Sequence, residues 1–488
     1  MGVAKRVLTR AVEDYGRLLY GIRSLDRRIN PQVNQQLLPR LPALVLKIQP
    51  ALLPPILKIA IRGGLGPLLR FAMLNVNSVA KLIQLQTRGK PTHAIREKIP
   101  PPQRVLPPAN WLPDSKGTMT HYERFNAAMD RKEPDRVPLA LLMDYFYARM
   151  ARLTPRQFID SRYNRIFKAV RYTHDLFEDW FDLAHVPMGA IYSYFEPIPA
   201  AHSGFYSPLV PDDKIGGILQ FVETPVVDVK DFPRVQREGF STLWRPLPIP
   251  KVIRTMTDIL ALVPYVRYWE RKRMVPLYSA SGMVTPLEVL SYLMGMSRWA
   301  RGMLKHRDEM KQMCDWMFAG QQGYDLFLKM LGGVPRAYIC LERASPRFLR
   351  PQIFEDLVWP YLTRIVAQNN KLHLTNLFHM DTDWGPFLPL FATLPRNGKY
   401  IFHLEDTDIR KAKDIVGHLG AVMGNLPTRV SVFGTPAQVE DACKKLIEDV
   451  GSGGGLLLSC GCHLPEDTPI RNVVAMIRAI HQFGIYRK

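Results

Sequence analysis

The chain has 488 residues, of which 47% are hydrophobic and 22% are charged, so it can bury a sizeable core and is not intrinsically disordered. Its five cysteines are odd in number and unevenly spaced, which excludes a disulfide framework and predicts a reducing, cytoplasmic setting. The formal net charge of +21 is concentrated near the amino terminus, because residues 1–120 contain 19 Lys/Arg and 5 Asp/Glu. A basic arm of this kind attracts nucleic acid, anionic lipid or an acidic protein.

Residues 1–91 are predicted to form a basic, amphipathic, helical extension. Residues 36–86 are largely apolar, but Lys, Arg and Pro interrupt every stretch before the roughly 20 residues that a membrane-spanning helix needs. The segment also differs from a signal peptide, since its apolar part starts late and no small-residue cleavage site follows. Two alternatives remain for residues 36–86: peripheral contact with a membrane, or packing against the main domain or a partner protein. Nucleic acid is not expected as a partner, because no aromatic-interleaved basic motif or finger spacing occurs.

A proline-rich linker is predicted over residues 92–118, and a single catalytic domain over residues 119–488. The domain begins with helical spacing and then contains eight apolar runs of strand length, alternating with helical segments such as 351–369 and 436–449. The runs are 137–142, 182–188, 274–280, 334–341, 374–380, 399–405, 420–426 and 455–461. This alternation predicts an α/β fold, and the count of eight favours a closed (β/α)₈ TIM-type barrel over an open sheet. The long insertion between the second and third strands contains a hairpin-like piece, 216–229, and is predicted to cover the barrel mouth.

Several polar side chains follow the ends of the predicted strands, where a barrel of this kind carries its chemistry. In chain order they are Asp144, His185, the Ser279–Thr285 turn, Glu342, His379, Asp381, Glu405, Asp406, Asn425, Cys460 and Cys462. Imidazole, carboxylate and thiolate together are the ligands of a zinc site. His379 and Asp381 are two residues apart, so both point to the same side of an extended strand end, either as joint metal ligands or as a hydrogen-bonded loop pair.

Other candidates receive different assignments. Cys460 lies within an apolar run and is predicted to be a packing residue, whereas Cys462 is positioned to complete a metal site from a remote strand. His373 and His403 are interpreted as structural polar residues. The pattern does not place His174, His185 and His202 with respect to the strand ends.

Longer motifs resemble a known family. They are residues 124–138 (RFNAAMDRKEPDRVP), 378–391 (FHMDTDWGPFLPLF), 406–417 (DTDIRKAKDIVG), 424–427 (GNLP), 434–447 (GTPAQVEDACKKLI) and 454–477 (GGLLLSCGCHLPEDTPIRNVVAMI). Together these are similar to the uroporphyrinogen decarboxylase superfamily, which includes the cobamide-dependent methyltransferases. The resemblance covers about residues 120–488, leaves the amino-terminal extension uncovered, and implies a (β/α)₈ barrel.

The resemblance also bears on the reaction. Uroporphyrinogen decarboxylases carry an arginine-rich RQAGR-type segment after the first strand, where this chain reads LLMDYFYARMARLTP (residues 141–155). The methyltransferase branch binds zinc through an HxC pair on the fifth strand and a Cys in a GC-x-x-P motif after the eighth. His379 and Cys462 match the first and last of these ligands, whereas Asp381 replaces the middle Cys. Glu342 is the candidate for a fourth, exchangeable oxygen ligand, and Glu342, Asp381 and Asn425 are the candidate catalytic residues.

The resulting expectation is a zinc-assisted methyltransferase that moves a methyl group between a small-molecule donor or acceptor and a corrinoid. The chain has no corrinoid-binding DxHxxG motif, so the corrinoid is expected on a partner protein. One alternative is a tetrapyrrole decarboxylase that uses the same barrel without metal. The other is a catalytically inert barrel that its amino-terminal arm recruits to membranes.

Overall fold

The computed structural model describes residues 111–486, except for 115, 160–162, 188–208, 213–217, 222, 224, 240–263 and 280–281. The predicted extension (1–91), the candidate membrane-contact segment (36–86), most of the predicted linker and His202 lie outside the described residues. The end of that linker is described, and Trp111 and Leu112 pack there on the barrel, with the Trp111 ring 5.2 Å from that of Phe177. Among the helices of the described part, none combines the length and the apolar character needed to cross a bilayer.

Ten strands are described in chain order. They are β1 (Leu142–Met143), β2 (Leu209–Asp212), β3 (Ile218–Phe221), β4 (Gly282–Val284), β5 (Arg336–Leu341), β6 (Thr375–Met380), β7 (Lys399–Leu404), β8 (Gly420–Leu426), β9 (Leu456–Cys460) and β10 (His463–Leu464). Strands β4 to β9 form one parallel sheet in sequence order. Strand β1 pairs in parallel with β10, and β2 pairs antiparallel with β3.

Backbone contacts continue this sheet from β9 round to β4. Leu139 forms a parallel bridge with Leu458 of β9, and the Asp182 amide donates to the Leu139 carbonyl at 2.8 Å. Ala184 in turn bridges Leu277, a few residues before β4. The eight predicted strand segments therefore occur in the expected order around a ring, and the predicted α/β class with TIM-type barrel architecture is confirmed.

Helices connect these strands. They are α1 (His121–Met129), α2 (Tyr145–Met150), α3 (Pro155–Ile159), α4 (Tyr163–Leu176), α5 (Phe232–Glu238), α6 (Pro286–Lys305), α7 (Arg307–Gly332), α8 (Pro351–Leu357), α9 (Trp359–Lys371), α10 (Leu388–Phe391), α11 (Ile409–Val416), α12 (Thr428–Phe433), α13 (Pro436–Val450) and α14 (Ile470–Phe483). Short 3₁₀ turns occupy Val229–Asp231 and Gly385–Phe387, and Tyr268–Arg273 is π-helical. A Thr120–Glu123 capping box begins α1, and a Thr435–Gln438 box begins α13.

The first three strand segments are shorter than predicted. The run 137–142 has one bridge at Leu139 before β1, 182–188 has one bridge, and 274–280 has one bridge before β4. Each run contains a proline, namely Pro138, Pro187 and Pro276, which removes one ladder N–H. The predicted Ser279–Thr285 turn was wrong in part, because Gly282–Val284 forms β4.

The insertion between the second and third strand segments contains the predicted hairpin only in part. Ile218–Phe221 does form a hairpin, but its partner is the preceding segment Leu209–Asp212, and residues 225–228 form no strand. A later residue of the insertion, Glu223, pairs with Arg343 at 3.1 Å. Arg343 directly follows the candidate residue Glu342, so the insertion contacts the carboxyl end of β5.

Side chains alternate between two cores along the barrel strands. Leu377, Ile401 and Leu457 belong to one buried cluster, and their neighbours Phe378, Phe402 and Leu458 belong to a second cluster shared with the helices. The first cluster also contains Phe125 and Met129 of α1. Because successive strand residues point to opposite faces, His379 and His403 share a face with Leu377 and Ile401.

Candidate functional site

His379, Asp381 and Cys462 meet at the carboxyl ends of two barrel strands. His379 is the fifth residue of β6, Asp381 follows the strand end, and Cys462 lies between β9 and β10. One donor atom from each residue lies within 4.8 Å of the other two. His379 and Cys462 are 83 residues apart in sequence, and the barrel brings them together, so the three predicted ligands lie in one group.

The spacing within this group suits a tetrahedral ion. Cys462 Sγ lies 3.4 Å from His379 Nε2, and His379 Nε2 lies 3.2 Å from Asp381 Oδ1. Zinc–ligand bonds of about 2.0–2.3 Å imply separations of about 3.3–3.8 Å between neighbouring ligand atoms. His379 is 2% exposed, and Asp381 and Cys462 are partly buried. Both measured separations thus lie within about 0.1 Å of the range for neighbouring zinc ligands, so these three side chains could hold a zinc ion.

A chain of hydrogen bonds orients His379. His403 Nε2 lies 3.0 Å from the Cys460 carbonyl oxygen, which can only accept, so His403 carries its proton on Nε2 and accepts at Nδ1. The Tyr278 hydroxyl, 2.9 Å away, donates to His403 Nδ1 and accepts from His379 Nδ1 at 3.1 Å. With its proton on Nδ1, a neutral His379 directs the lone pair of Nε2 toward Asp381 and Cys462. This tautomer is the one a metal ligand needs.

Burial and neighbouring charges shift the pKa of all three groups. Burial by itself lowers the pKa of His379, but Tyr278, Asp381 and Cys462 outweigh burial and hold that pKa well above its usual value. Burial by itself raises the pKa of Asp381, but the His379 imidazolium keeps it below normal. The pKa of Cys462 is raised, chiefly by burial. In the absence of metal, a proton on His379 therefore stabilises the Asp381 carboxylate, and a cation at the same position would replace that proton.

Tyr278→Phe is expected to weaken zinc binding about 10-fold, because His379 Nδ1–H loses the Tyr278 hydroxyl as acceptor and keeps only His403 Nδ1, 3.1 Å away. Competition against a chromophoric zinc chelator measures the affinity. Tyr361→Phe is the matched control, since it removes another buried hydroxyl, which donates to Asp315 at 3.0 Å away from the site. Equal zinc affinity in wild type and Tyr278→Phe would show that the hydroxyl does not orient His379.

The predicted ligand Glu342 contacts a different set of side chains. Its carboxylate accepts from the Tyr292 hydroxyl at 2.5 Å and from the Cys340 thiol at 3.1 Å. Burial, and next the Asp381 carboxylate, raise the pKa of Glu342. Glu288 lies behind it and accepts from the Arg343 and Ala344 amides at 2.7 Å, and burial together with Glu342 raises the pKa of Glu288 to about 8.

In metal-free protein, the free energy of unfolding is expected to decrease as the pH rises from about 5 to about 8. Glu342→Gln is expected to make this decrease smaller. A carboxyl with a raised folded pKa contributes stability below its unfolded pKa of about 4.3, and this is lost as pH rises to the folded pKa. Removing the Glu342 charge lowers the pKa of Glu288. Each decrease of about 0.7 in that pKa reduces the stability lost at high pH by about 1 kcal/mol. Urea unfolding at several pH values measures this, with the exposed Glu355→Gln as control. Parallel pH profiles for Glu342→Gln and wild type would contradict the coupling.

Asn425, Glu405 and Cys460 are not members of the three-residue group. The Asn425 amide donates to the Thr407 carbonyl at 2.7 Å. Glu405 accepts from the Thr382 amide at 2.8 Å, and burial raises its pKa. Cys460 is fully buried in the outer core, in keeping with a packing role.

A second group, Asp144, His185 and His463, lies beside the first, with donor atoms within 4.8 Å of one another. Burial lowers the pKa of His185 well below its usual value and that of His463 to about 3, so both imidazoles are neutral. His463 has no candidate role in the sequence, and neither does Tyr278. The sequence signal for His463 is its position directly after Cys462. Strand alternation by itself predicts that the side chains of these two neighbours point to opposite sides.

Comparison with known proteins agrees with this architecture. The chain belongs to the uroporphyrinogen decarboxylase (URO-D) family, whose model matches residues 201–483. It is 32% identical over 142 residues to the uroporphyrinogen decarboxylase of Coxiella burnetii, which is 28% of this chain and 38% of that relative. It is 34% identical over 78 residues to the uroporphyrinogen decarboxylase of Methylococcus capsulatus, and these residues are 16% of this chain and 22% of that relative. The match therefore spans well under half the length of these relatives.

A solved structure is similar over a longer stretch. A methyltransferase from Methanosarcina mazei superposes with a TM-score of 0.55 at 17% identity, covering 75% of this chain and 99% of that one. At this identity the likeness establishes the barrel fold. The predicted resemblance to the uroporphyrinogen decarboxylase superfamily is confirmed.

Proposed function

We propose that this barrel is a zinc-assisted methyltransferase that moves a methyl group between a small substrate and a corrinoid carried by a partner protein. The observation that carries the proposal is the group of His379, Asp381 and Cys462. The Nδ1–H of His379 donates to Tyr278, which in turn donates to His403, and this leaves His379 Nε2 facing Asp381 and Cys462. The likeness to a methyltransferase structure supports the same reading. A cytoplasmic location fits the unpaired cysteines of the described part.

The ligand set defines the chemistry that zinc supplies when bound, which is to polarise a substrate heteroatom and lower its pKa. His379 is neutral, and Asp381 and Cys462 each carry a negative charge as ligands, so the ligands balance a divalent ion. A carboxylate in place of the family's second thiolate donates less electron density, which favours a stronger Lewis acid. Burial and the negative charge of Asp381 raise the pKa of Glu342. Glu342 is therefore the candidate to take up the substrate proton or to supply a fourth oxygen ligand.

The corrinoid partner must reach the barrel mouth, since methyl transfer needs an in-line approach of donor and acceptor. The Glu223–Arg343 pair connects the insertion to the residue after Glu342, so the insertion is the candidate surface for admitting the partner. Catalytic participation of Asn425 stays a prediction, and its hydrogen bond to Thr407 would orient it. The roles of the extension and of residues 36–86 also stay predictions.

Tetrapyrrole decarboxylation is the second candidate, and the names of the curated relatives favour it. Decarboxylases of this kind bind an acidic porphyrinogen, for which residues 141–155 offer Arg149 and Arg152. The Arg149 guanidinium donates instead to the Glu466 and Thr468 carbonyls at 2.7 and 2.8 Å. These hydrogen bonds hold the Arg149 side chain and count against its use in binding porphyrinogen carboxylates. An inert barrel recruited to membranes is the third alternative.

The test uses the full chain, loaded with zinc or stripped by chelation, with free cobalamin in place of the carrier protein. Methylcobalamin with thiol acceptors, and reduced cobalamin with methyl ethers and methylamines, are followed by the absorbance change of the cobalt centre. We expect turnover that requires zinc. Consumption of uroporphyrinogen by metal-stripped protein would support the decarboxylase instead, and vesicle binding without any turnover would support the inert barrel.

A further inference from the structure

Asp144, His185 and His463 come from three strand segments that are consecutive around the barrel. Asp144 follows β1, His185 follows the bridge at Ala184, and His463 begins β10, which pairs with β1. His463 Nε2 lies 3.5 Å from Asp144 Oδ2, and His185 Nε2 lies 3.9 Å from Asp144 Oδ1. The Asp144 carboxylate thus faces both imidazoles, one from each side.

The imidazoles lack the hydrogen bonds that buried rings normally make. Both ring nitrogens of His185, which is 2% exposed, and Nε2 of His463 are buried without a hydrogen-bond partner among the described residues. A buried polar atom left unsatisfied costs about 1–3 kcal/mol. Three such nitrogens, two of them within 4 Å of one carboxylate, indicate that something else binds there.

The group is distinct from the first one, although it adjoins it. His463 Nδ1 lies 3.4 Å from Cys462 Sγ, while its Nε2 faces Asp144. A neutral His463 that offers its Nε2 lone pair carries its proton on Nδ1 and donates it to the Cys462 sulfur. The imidazole ring therefore separates the two groups and serves each with a different nitrogen.

We propose that Asp144, His185 and His463 bind a second divalent transition-metal ion. Two imidazoles and one carboxylate suit Zn²⁺, Co²⁺ or Fe²⁺ better than Mg²⁺ or Ca²⁺, which prefer oxygen ligands alone. The separation of 3.5 Å between His463 and Asp144 lies within the about 3.3–3.8 Å expected between neighbouring ligand atoms, and the 3.9 Å between His185 and Asp144 lies just above it. Three protein ligands leave coordination positions for water or for an oxygen atom of a small molecule. Metal binding by this group does not require that the barrel transfers methyl groups.

Metal stoichiometry and cobalt spectroscopy on the full chain test the second site. Chelated protein is dialysed against Co²⁺ or Zn²⁺ and its bound metal is counted, while thiolate-to-cobalt charge-transfer absorption reports the Cys462 group alone. We expect two ions per wild-type chain. His185→Ala and Asp144→Asn should each bind one ion and keep the thiolate absorption. Cys462→Ser should also bind one ion but lose that absorption.

His174→Ala is the matched control, because His174 is also fully buried with both nitrogens unpartnered among the described residues, but it packs against Trp269 and Phe181 instead of a carboxylate. This variant should bind two ions. Circular dichroism checks folding, and if His185→Ala does not fold, Asp144→Asn decides. A single ion in wild type, or two ions in every folded variant of the second group, would overturn the proposal.

Discussion

A His379→Ala protein is expected to lose more than about 100-fold in zinc affinity and in zinc-dependent methyl transfer. Loss of an outer-shell partner of a ligand typically costs 10- to 100-fold, and His379 is a direct ligand in the proposed site. The substitution also leaves Asp381 and the Cys462 sulfur without the imidazole that lies 3.2 and 3.4 Å from them.

The measurement combines zinc content after dialysis with the rate of cobalamin methylation or demethylation. His306→Ala provides the control, since it removes a partly exposed imidazole that pairs with Glu309 on the helical surface. Retention of the full wild-type zinc content together with full methyl transfer in His379→Ala would disprove the assigned site. The full wild-type zinc content with lost transfer would instead make His379 a residue of the reaction and not of metal binding.

Asp182→Asn is expected to lower the free energy of unfolding by about 3–5 kcal/mol, since removing one partner of a buried ion pair leaves an uncompensated charge. The fully buried Asp182 carboxylate accepts from Arg124 and Arg136, each at 2.7 Å, and from the Leu139 amide at 2.9 Å. It thereby ties α1 to the first strand segment. Urea denaturation measures the loss, and a value below about 1 kcal/mol would contradict this role.

The same variant has a defined pH dependence. Burial by itself raises the pKa of Asp182, but Arg136, His121 and Arg124 outweigh burial and hold it well below its usual range. A depressed carboxyl pKa contributes stability above the unfolded value of about 3.9, and that stability is lost as pH falls toward the folded value. The gap between wild type and Asp182→Asn should therefore be full above about pH 5 and close in acid. Asp179→Asn, which breaks a half-exposed pair with Arg273, should cost at most about 1 kcal/mol.

The barrel was predictable because buried parallel strands are continuous apolar runs. The predicted run 420–426 coincides with Gly420–Leu426, and 399–405 differs from Lys399–Leu404 by one residue. The early strands were predicted too long, because an apolar pattern does not register the ladder N–H that a proline removes. The predicted helix 351–369 divides at Val358, where Trp359 and Pro360 begin a new helix.

The candidate site was predictable only where strand ends carry side chains in a recognisable spacing. His379, Asp381 and Cys462 follow such ends, and the structure brings them together. Tyr278 and His403 lie inside apolar runs, where their neighbours suggest packing, and their role depends on contacts 101 and 24 residues away in sequence, to His379. His403, interpreted as structural, is part of the chain that orients His379. The position of His463 depends on a two-residue strand, which is too short to be recognised from a sequence pattern.

The hydrogen-bond chain that orients His379 ends on the main-chain oxygen of Cys460. A carbonyl oxygen is present at position 460 whichever amino acid stands there, so substitution of this residue leaves the last acceptor in place. The tautomer of His379 therefore depends on the main-chain position at the end of β9 and not on which side chain occurs there. Related chains can therefore exchange Cys460 for another small apolar residue and keep the same histidine tautomer at the barrel mouth.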